Sequence, residues 1–543
     1  MRGAARLLGE FIGRNGLRPD EDNGKLHALA DFRRERPDRR DRQLLLPACP
    51  GAEDPIARAL DRAPGGVEDV VGRRVLLVLG LDCAPPALVF DRLHAHLPVI
   101  GSLRARGTYG ALRSTVPPIT MPAWACMVSG RDPGELGIYG FRNRVPGSRA
   151  LRVATADDVR APRVWDVLGA AGRRSAALYV PPTWPPREIV NGTMVSCLLT
   201  PGADEAHTWP TSLGAELAAR FGPHTPDVPH GTASHSDQSD DALIDALHDA
   251  ATQHFDVAEH VLATQRPDLL MMVEMGTDRL HHAMWPALDP SDPRHDPSSP
   301  RVRDARDFYA FLDARIGRLM ERAGRDVTVM LVSDHGARPL RGGVYLNEWL
   351  RREGWLVLRR EPDAPCTIEH ADVDWPRTRA WAEGGYFARV VLNVAGRFPD
   401  GAIDPRDEAS SLDALEDALV SMRDEHGRAM RNRVVRPSRE YRATNGTPPD
   451  LMVFLDDLDR RALGEVGTGR VFAGPDEAGA SRGRGADGCN HDWDGMFVLA
   501  GPEVPRAGRV EGASIHDVGV SALRLSGVDV PEGWLGGDLR RLR

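Results

Sequence analysis

Three apolar, strand-like runs in this sequence carry residues at their ends that can bind a metal ion. VLLVLGLD ends at Asp82, LLMMVEMGTD ends at Asp278, and VTVMLVSDHG carries Asp334 and His335 near its end. The carboxyl ends of strands in an open α/β sheet meet at one crevice, so we expect these side chains to lie together. Carboxylates gathered there repel one another unless a cation is present. One such Asp is typical of a helix N-cap, but three of them indicate metal chemistry.

The second run continues into an Asp–His pair at helical spacing. Asp278 and His282 lie four residues apart in GTDRLHHAMW, so a helix beginning there directs both side chains to one face, where they could hold one ion. The structural alternative is that Asp278 caps the helix and His282 packs against Trp285. His281 points away from that face, so we expect it to be structural or to support a ligand.

The motif SDHG at the end of the third run is a more specific signal of a metal site than the Asp–His pair. Asp334 and His335 can bind one ion if the chain turns directly after the strand, and Gly336 permits such a turn. The alternative is a polar junction between a strand and a loop. It is unattractive because a buried apolar strand runs straight into two ionisable groups.

Thr120, in STVPPITMPAWACMVSG, is a candidate nucleophile. Pro122 suits the first turn of a helix, which places Thr120 at or near the helix N-cap. Free backbone N–H groups there can hold a phosphate and stabilise developing charge. A metal ion would lower the pKa of the hydroxyl and supply an alkoxide. Without the metal ligands, an ordinary capping Thr would be the better interpretation.

His491, in CNHDWDG before the final apolar run, is a candidate third ligand. Alone it is one of 18 histidines, but Asp278 and His282 make an incomplete ligand set that it would close. Asp487 and Asp494 flank it and could hydrogen-bond to a ligand.

The elements that must position these residues alternate between strand-like runs and helix-like segments. Further apolar runs begin at Asp450 and Gly495, and apolar residues at spacings of three and four mark a helix from Asp304 to Gly324. This alternation predicts an α/β fold with a mainly parallel sheet. Residues around 140–240 and 340–445 are rich in Pro, Trp and Arg and are predicted to be insertions. Residues 1–70 mix both charges densely and are predicted to form a poorly ordered arm before a catalytic domain at 71–543.

Composition excludes several classes of protein. The chain has 69 basic and 78 acidic residues, and this balance of -9 argues for neither nucleic acid nor an anionic membrane as a partner. The six cysteines stand singly without a CxxC pair, which fits reduced thiols better than a disulfide framework. There is no secretory leader pattern at Met1 and no apolar run of membrane-spanning length, so a cytoplasmic location is predicted.

The motifs GLDC, ITMPAWACMVSG…GIYGF, GTDRLHH, SDHGAR and NHDWDG occur in an order that resembles the type I phosphodiesterase/nucleotide pyrophosphatase branch of the alkaline phosphatase superfamily. The resemblance runs from about Arg74 to the C-terminus. It implies a three-layer α/β/α sandwich with a mainly parallel central sheet and insertions that form a cap. It also implies two divalent ions, zinc or else manganese. One ion would be held by Asp82, Thr120, Asp334 and His335, and the other by Asp278, His282 and His491.

The resemblance further implies a two-step displacement on a small phosphoester. Thr120 attacks phosphorus, a phospho-threonine forms, and water then hydrolyses it. One position departs from the family pattern: where nucleotide pyrophosphatases carry an Asn that contacts the phosphoryl group, this chain has Phe141. Arg142, Asn143 and Arg144 follow directly and are candidate substrate-binding residues, although surface arginines are common.

These observations favour hydrolysis of a phosphodiester or pyrophosphate. A phosphomonoesterase and a phosphoryl transferase or mutase of the same superfamily remain alternatives. A sulfatase is disfavoured because Thr120-Met-Pro-Ala-Trp lacks the Arg of the sulfatase motif, and a cofactor-independent phosphoglycerate mutase because its nucleophile is Ser. A non-catalytic metal-binding scaffold is the alternative from another class. The natural substrate and the oligomeric state stay open.

Overall fold

The computed structural model describes residues 74–228, 240–480 and 487–543. The predicted arm at residues 1–70 lies outside these ranges. Within them, a nine-stranded sheet forms the central layer. Its strands, in order across the sheet, are Gly508–Ser514, Thr108–Arg113, Asp494–Ala500, Thr328–Val332, Leu76–Leu81, Leu269–Glu274, Ser175–Leu178, Gly192–Val195 and Thr208–Trp209.

Most of this sheet is parallel. Leu76–Leu81 pairs in parallel with Leu269–Glu274 on one side and with Thr328–Val332 on the other. Thr208–Trp209 and Asp494–Ala500 run antiparallel to their neighbours. Every residue of Leu76–Leu81 and Leu269–Glu274 is buried, because helices cover both faces of the sheet. The prediction of a mainly parallel sheet is confirmed.

Alternate side chains of the central strands enter two separate apolar cores. Leu77 and Leu79 belong to one core and Leu76 and Val78 to the other. The first core is closed by the helices Pro98–Arg106, Asp240–Gln265, Gly276–Leu288 and Pro300–Ala323. The second is closed by the helices Thr120–Ser129, Val164–Ala170 and Ile515–Leu525. Helices on both faces of one sheet confirm the three-layer α/β/α architecture.

Residues 342–473, which we call the cap, have a separate core and sheet. The sheet is antiparallel, with the strand order Ala380–Glu383, Ala388–Leu392, Leu451–Phe454 and Arg433–Val435. The helices Leu346–Arg352 and Glu408–Val420 contribute side chains to the same core. The cap therefore has apolar packing of its own.

Two segments differ from the sequence interpretation. The apolar run beginning at Asp450 forms Leu451–Phe454 in the cap sheet, whereas its composition matched the central strands. All four of its residues are buried, so its pattern is that of any strand covered on both faces. The interval 140–240, predicted to be an insertion, contains three strands that form one edge of the central sheet. These strands have only two to four residues each, too few to show a pattern among Pro and Trp residues.

The remaining strands form small sheets. They pair as Gly336–Pro339 with Cys489–Asp492, Gly342–Tyr345 with Arg460–Leu463 and Phe472–Ala473, Cys366–Thr367 with Glu465–Val466, and Arg142–Arg144 with Leu151–Val153. The other α-helices are Pro133–Leu136, Ser212–Phe221, Pro437–Glu440 and Pro475–Ala480.

No described helix combines the length and apolar character needed to cross a bilayer. Among the cysteines of residues 74–228, 240–480 and 487–543, none forms a disulfide. The cytoplasmic location stays a prediction.

Candidate active site

Asp82, Thr120, Asp334 and His335 converge at the carboxyl edge of the central sheet, and we call them the nucleophile cluster. The Nε2 atom of His335 lies 3.2 Å from Oδ2 of Asp334 and 3.7 Å from Oδ1 of Asp82. It also lies 3.3 Å from Oγ1 of Thr120. All four residues are at most 2% exposed, so any charge among them is shielded from water.

Asp278, His282 and His491 form a second group, the histidine cluster. Nε2 of His282 lies 3.2 Å from Oδ1 of Asp278 and 3.3 Å from Nε2 of His491. Nε2 of His491 is 3.8 Å from the same Asp278 oxygen. The ring of His491 stacks on the ring of His335, with centroids 3.8 Å apart, so the two clusters adjoin.

The termini of secondary-structure elements bring these residues together. Asp82 directly follows the strand Leu76–Leu81, and Thr120 is the first residue of the helix Thr120–Ser129. Asp278 lies in the first turn of the helix Gly276–Leu288, and His282 follows one turn later. His491 comes from the short strand Cys489–Asp492, whose pairing partner Gly336–Pro339 begins directly after His335.

The buried carboxylates present oxygens that accept no hydrogen bond from the described residues. These atoms are Oδ1 of Asp82, Oδ1 of Asp278 and Oδ2 of Asp334. An unpaired buried carboxylate oxygen is costly, and the usual solutions are a cation or protonation. The donor chemistry of both clusters therefore fits a divalent cation.

The imidazole rings lead to the same conclusion. Nδ1 of His282 faces Oδ1 of Asp487 at 2.8 Å, and Nδ1 of His491 faces the carbonyl of Pro118 at 3.0 Å. An Nδ1 beside an acceptor carries the proton, which leaves the lone pair on Nε2. When both rings are neutral, two lone pairs in the histidine cluster face each other at 3.3 Å, an arrangement that a shared cation stabilises.

The electrostatics of the carboxyl groups agree with a need for positive charge. Burial, together with the charges of Asp334 and Asp278, raises the pKa of Asp82 well above its usual value. Burial likewise raises the pKa of Asp334 to about 6. Burial also opposes the charge of Asp278, but the positive charges of protonated His282 and of Arg279 outweigh it and hold the pKa of Asp278 well below its usual value.

Residues 76–470 match the family model described as Type I phosphodiesterase / nucleotide pyrophosphatase. That match spans more than half of the 543 residues. The chain belongs to this family. It is accordingly a phosphoric ester hydrolase of the nucleotide pyrophosphatase/phosphodiesterase type, in a family that generally depends on divalent metals. A search of curated protein sequences finds no match.

Solved structures share the fold at low sequence identity. Murine ectonucleotide pyrophosphatase / phosphodiesterase 5 is 13% identical, with a TM-score of 0.51 over 86% of this chain and 100% of that one. Phosphonoacetate hydrolase from Sinorhizobium meliloti 1021, in complex with phosphonoformate, is 17% identical, with a TM-score of 0.52 over 84% of this chain and 96% of that one. These similarities support the alkaline-phosphatase-like architecture.

Several residues that contact the two clusters were not apparent from the sequence. The indole N–H of Trp124 donates to Oδ2 of Asp82 at 2.7 Å. Trp124 is four residues after Thr120 and shares its face of the helix, a spacing that could have identified it. Arg279 is 8% exposed and donates to Oδ2 of Asp278 at 2.6 Å. Its position beside Asp278 gave no comparable signal.

The cap supplies a third such residue. The hydroxyl oxygen of Tyr386 lies 3.3 Å from Nε2 of His282, and its ring stacks on that of His491 with centroids 3.7 Å apart. No motif marks Tyr386, because it is separated from the other site residues by the cap's own strands.

Asp487 and Asp494, the two residues predicted to hydrogen-bond to a ligand, have different environments. Asp487 accepts the hydrogen bond from His282 and another from Arg461 at 2.7 Å. Asp494 instead pairs with Arg113 at 3.3 Å, and both of those side chains are 45% exposed. His281 hydrogen-bonds to neither Asp487 nor Asp494. Its Nε2 lies 2.7 Å from the hydroxyl of Tyr309, in the core.

The candidate substrate residues after Phe141 have different surroundings. The amide of Asn143 accepts from the backbone N–H of Tyr139 and donates to the carbonyl of Gly140, so it braces the turn. Arg144 is 6% exposed and donates to the carbonyl of Pro448 in the cap. Arg142 is exposed on the strand Arg142–Arg144.

Proposed function

We propose that this protein hydrolyses phosphodiester or pyrophosphate bonds at a two-metal centre, with Thr120 as nucleophile. The observation that carries the proposal is the position of Oγ1 of Thr120, 3.3 Å from Nε2 of His335, in a cluster where Asp82 and Asp334 each have one oxygen without a hydrogen-bond donor. One similar structure is described as an inactive threonine-to-alanine variant of murine ectonucleotide pyrophosphatase / phosphodiesterase 5 in complex with AMP. That description supports a catalytic threonine in the family.

Asp82, Asp334 and His335 would hold one cation together with Thr120. Asp278, His282 and His491 would hold the other. Two bound divalent cations would lower the pKa of the Thr120 hydroxyl and neutralise charge on the phosphoryl oxygens. Oxygen and nitrogen ligands suit zinc or manganese, and we propose zinc on the strength of the family resemblance.

The chain's own groups account for the remaining chemistry. Oγ1 of Thr120 releases its proton to water and forms a bond to phosphorus while the bond to the leaving oxygen breaks. The leaving oxygen takes the electron pair and then a proton from water. Water then attacks the phospho-threonine and releases phosphate or a phosphomonoester. The first turn of the helix Thr120–Ser129 directs backbone N–H groups at the phosphoryl group. Arg142 and Arg144 are proposed to contact the part of the substrate that leaves, whereas the contacts of Asn143 favour a structural role.

The test is hydrolysis of a nitrophenyl phosphodiester and the matching monoester with zinc or manganese. We expect diester turnover in the wild type and a loss of at least about 10³-fold in Thr120→Ala. Thr193→Ala is the matched control, because Thr193 is also buried, at 3% exposed, but lies in a sheet strand. Phosphate recovered on Thr120 after a rapid acid quench would support the covalent intermediate.

Other outcomes would redirect the proposal. Faster turnover of the monoester would favour a phosphomonoesterase, and transfer of phosphate to an added alcohol would favour a transferase. Two bound metals without turnover of either ester would contradict general diesterase activity. No bound metal and no turnover would favour the non-catalytic alternative.

A further inference from the structure

The proposed function leaves one polar atom at the centre of the site without a role: the hydroxyl of Tyr386. It lies 3.3 Å from Nε2 of His282, on the side of that ring where Asp278 and His491 also converge. When His282 is neutral and donates from Nδ1 to Asp487, the Nε2 atom facing Tyr386 is an acceptor. The tyrosine hydroxyl is then the donor of the pair, and its proton points into the histidine cluster.

Residues of the cap and of the strand Cys489–Asp492 together hold Tyr386 in this position. Its ring lies against His491, and the guanidinium of Arg461 lies over the ring, 4.9 Å from the centroid. Its backbone carbonyl accepts from the side chain of Asn490 at 3.2 Å. Gly385 before it adopts a φ of 155° and exchanges two backbone hydrogen bonds with Ala462. A side chain fixed by this many contacts is pre-organised rather than free to rotate.

Tyr386 and Thr120 contact different clusters of the site. Thr120 contacts His335 in the nucleophile cluster, and Tyr386 contacts His282 in the histidine cluster. In an in-line displacement the leaving oxygen departs opposite the nucleophile, on the far side of phosphorus from Thr120. The leaving oxygen is therefore directed toward the histidine cluster and the hydroxyl of Tyr386.

We propose that Tyr386 is a catalytic residue that donates a hydrogen bond to the leaving-group oxygen; this inference rests on the proposed function. As the Thr120–phosphorus bond forms, the phosphorus–oxygen bond breaks and its electron pair passes to the leaving oxygen. The Tyr386 hydroxyl stabilises that developing charge and keeps its proton, while the departing alkoxide takes a proton from water. A cation on Nε2 of His282 would remove the acceptor that the hydroxyl now faces, and so free it for this donation.

The test compares wild type with Tyr386→Phe across aryl phosphodiesters whose leaving phenols range from 4-nitrophenol to phenol. A poor leaving group develops more charge, so it depends more on the donor. We expect kcat/KM to fall about 10²-fold for the phenyl ester but only about threefold for the nitrophenyl ester, giving a steeper dependence on leaving-group pKa. Metal content and melting temperature should be unchanged.

Tyr345→Phe is the matched control, because Tyr345 is a buried cap tyrosine whose hydroxyl donates to Glu477 at 2.6 Å. It should leave the leaving-group dependence unchanged. An equal fall for every ester in Tyr386→Phe would show a packing role and overturn the inference, and fewer than two metals per chain would show a ligand role and also overturn it. Either result, with wild type active and Thr120→Ala inactive, would leave the proposed function intact. Absence of wild-type turnover would overturn both.

Discussion

Each of the three aspartates in the two clusters has one carboxylate oxygen that accepts a hydrogen bond from the protein and one oxygen that accepts none from the described residues. In Asp82, Asp278 and Asp334 the unpaired oxygens lie inside the clusters. The opposite oxygens accept from the indole of Trp124, the guanidinium of Arg279 and the backbone N–H of Cys83, respectively. Such hydrogen bonds orient a metal ligand and limit its motion before the metal arrives.

The indole of Trp124 provides the first test at this scale. Trp124→Phe removes the donor to Asp82, and we expect metal affinity at the nucleophile cluster to fall about 10- to 100-fold. Trp165→Phe is the control, since Trp165 is equally buried in the same core but its indole nitrogen has no partner among the described residues. Competition titration with a chelating dye measures both variants. Equal affinities in the two variants would contradict an orienting role.

Asp487 provides a second test, at the histidine cluster. Asp487→Asn weakens the acceptor for Nδ1 of His282, so we expect zinc affinity of one site to fall about 10-fold or more. Asp494→Asn is the comparison, because its carboxylate is half exposed and pairs with Arg113. A calorimetric zinc titration should show one weakened site in Asp487→Asn and two unchanged sites in Asp494→Asn. Identical titrations would mean that Asp487 does not tune the ligand.

At the scale of elements, the proposed nucleophile, Thr120, lies on a tightly packed helix, Thr120–Ser129. All ten of its residues are buried. The helix ends at Gly130, whose φ is 62° and whose Cα faces the ring of Trp534 near the C-terminus. Trp534 therefore packs against the end of the helix that is opposite Thr120.

Gly130→Ala tests how tightly Trp534 packs against the helix end. A Cβ at this position would lie 2.4 Å from the Trp534 ring, whereas at Gly172, with a φ of 75°, nothing lies within 4 Å. Both substitutions incur roughly 1–2 kcal/mol for a left-handed alanine, and Gly130→Ala adds about 1–3 kcal/mol of overpacking. We therefore expect a clearly lower melting temperature for Gly130→Ala than for Gly172→Ala. Equal melting temperatures would show that Trp534 can shift to admit the added methyl group without loss of stability.

At the scale of the whole molecule, candidate ligands far apart in sequence meet only in the complete fold. Asp82 and His491 lie near opposite ends of the described chain, and Asp278 and Asp334 follow two different strands of the central sheet. Metal binding should therefore be coupled to folding of the entire sheet, because an unfolded chain does not assemble either cluster.

Metal removal tests this coupling. Chelation should lower the melting temperature and abolish turnover, and zinc or manganese should restore both. At a free metal concentration 100 times Kd, each site should stabilise the fold by about 2.7 kcal/mol. In Asp278→Asn the gain on adding metal should be smaller, with about half the bound metal, since only the nucleophile cluster stays complete. A melting temperature that does not respond to metal in the wild type would contradict the metal assignment.

The grouping of the candidate ligand residues was predictable because they occupy strand ends and short local motifs. Asp82 and Asp334 follow continuous apolar runs, and Asp278 and His282 share a helical face. The central parallel sheet was predictable for the same reason, since strands buried on both faces give long apolar runs. The short strands between residues 175 and 209 were not, because two to four residues carry no readable period.

The sequence by itself indicated which residues are candidates to bind metal or attack phosphorus, and it determined the order in which they occur along the chain. Only the tertiary structure decided which groups orient them. Trp124, Arg279 and Tyr386 act through contacts with residues from other elements, and Tyr386 belongs to a cap with its own core. Local patterns report burial and helical spacing along one segment, whereas these contacts depend on how separate segments pack, which no local pattern contains.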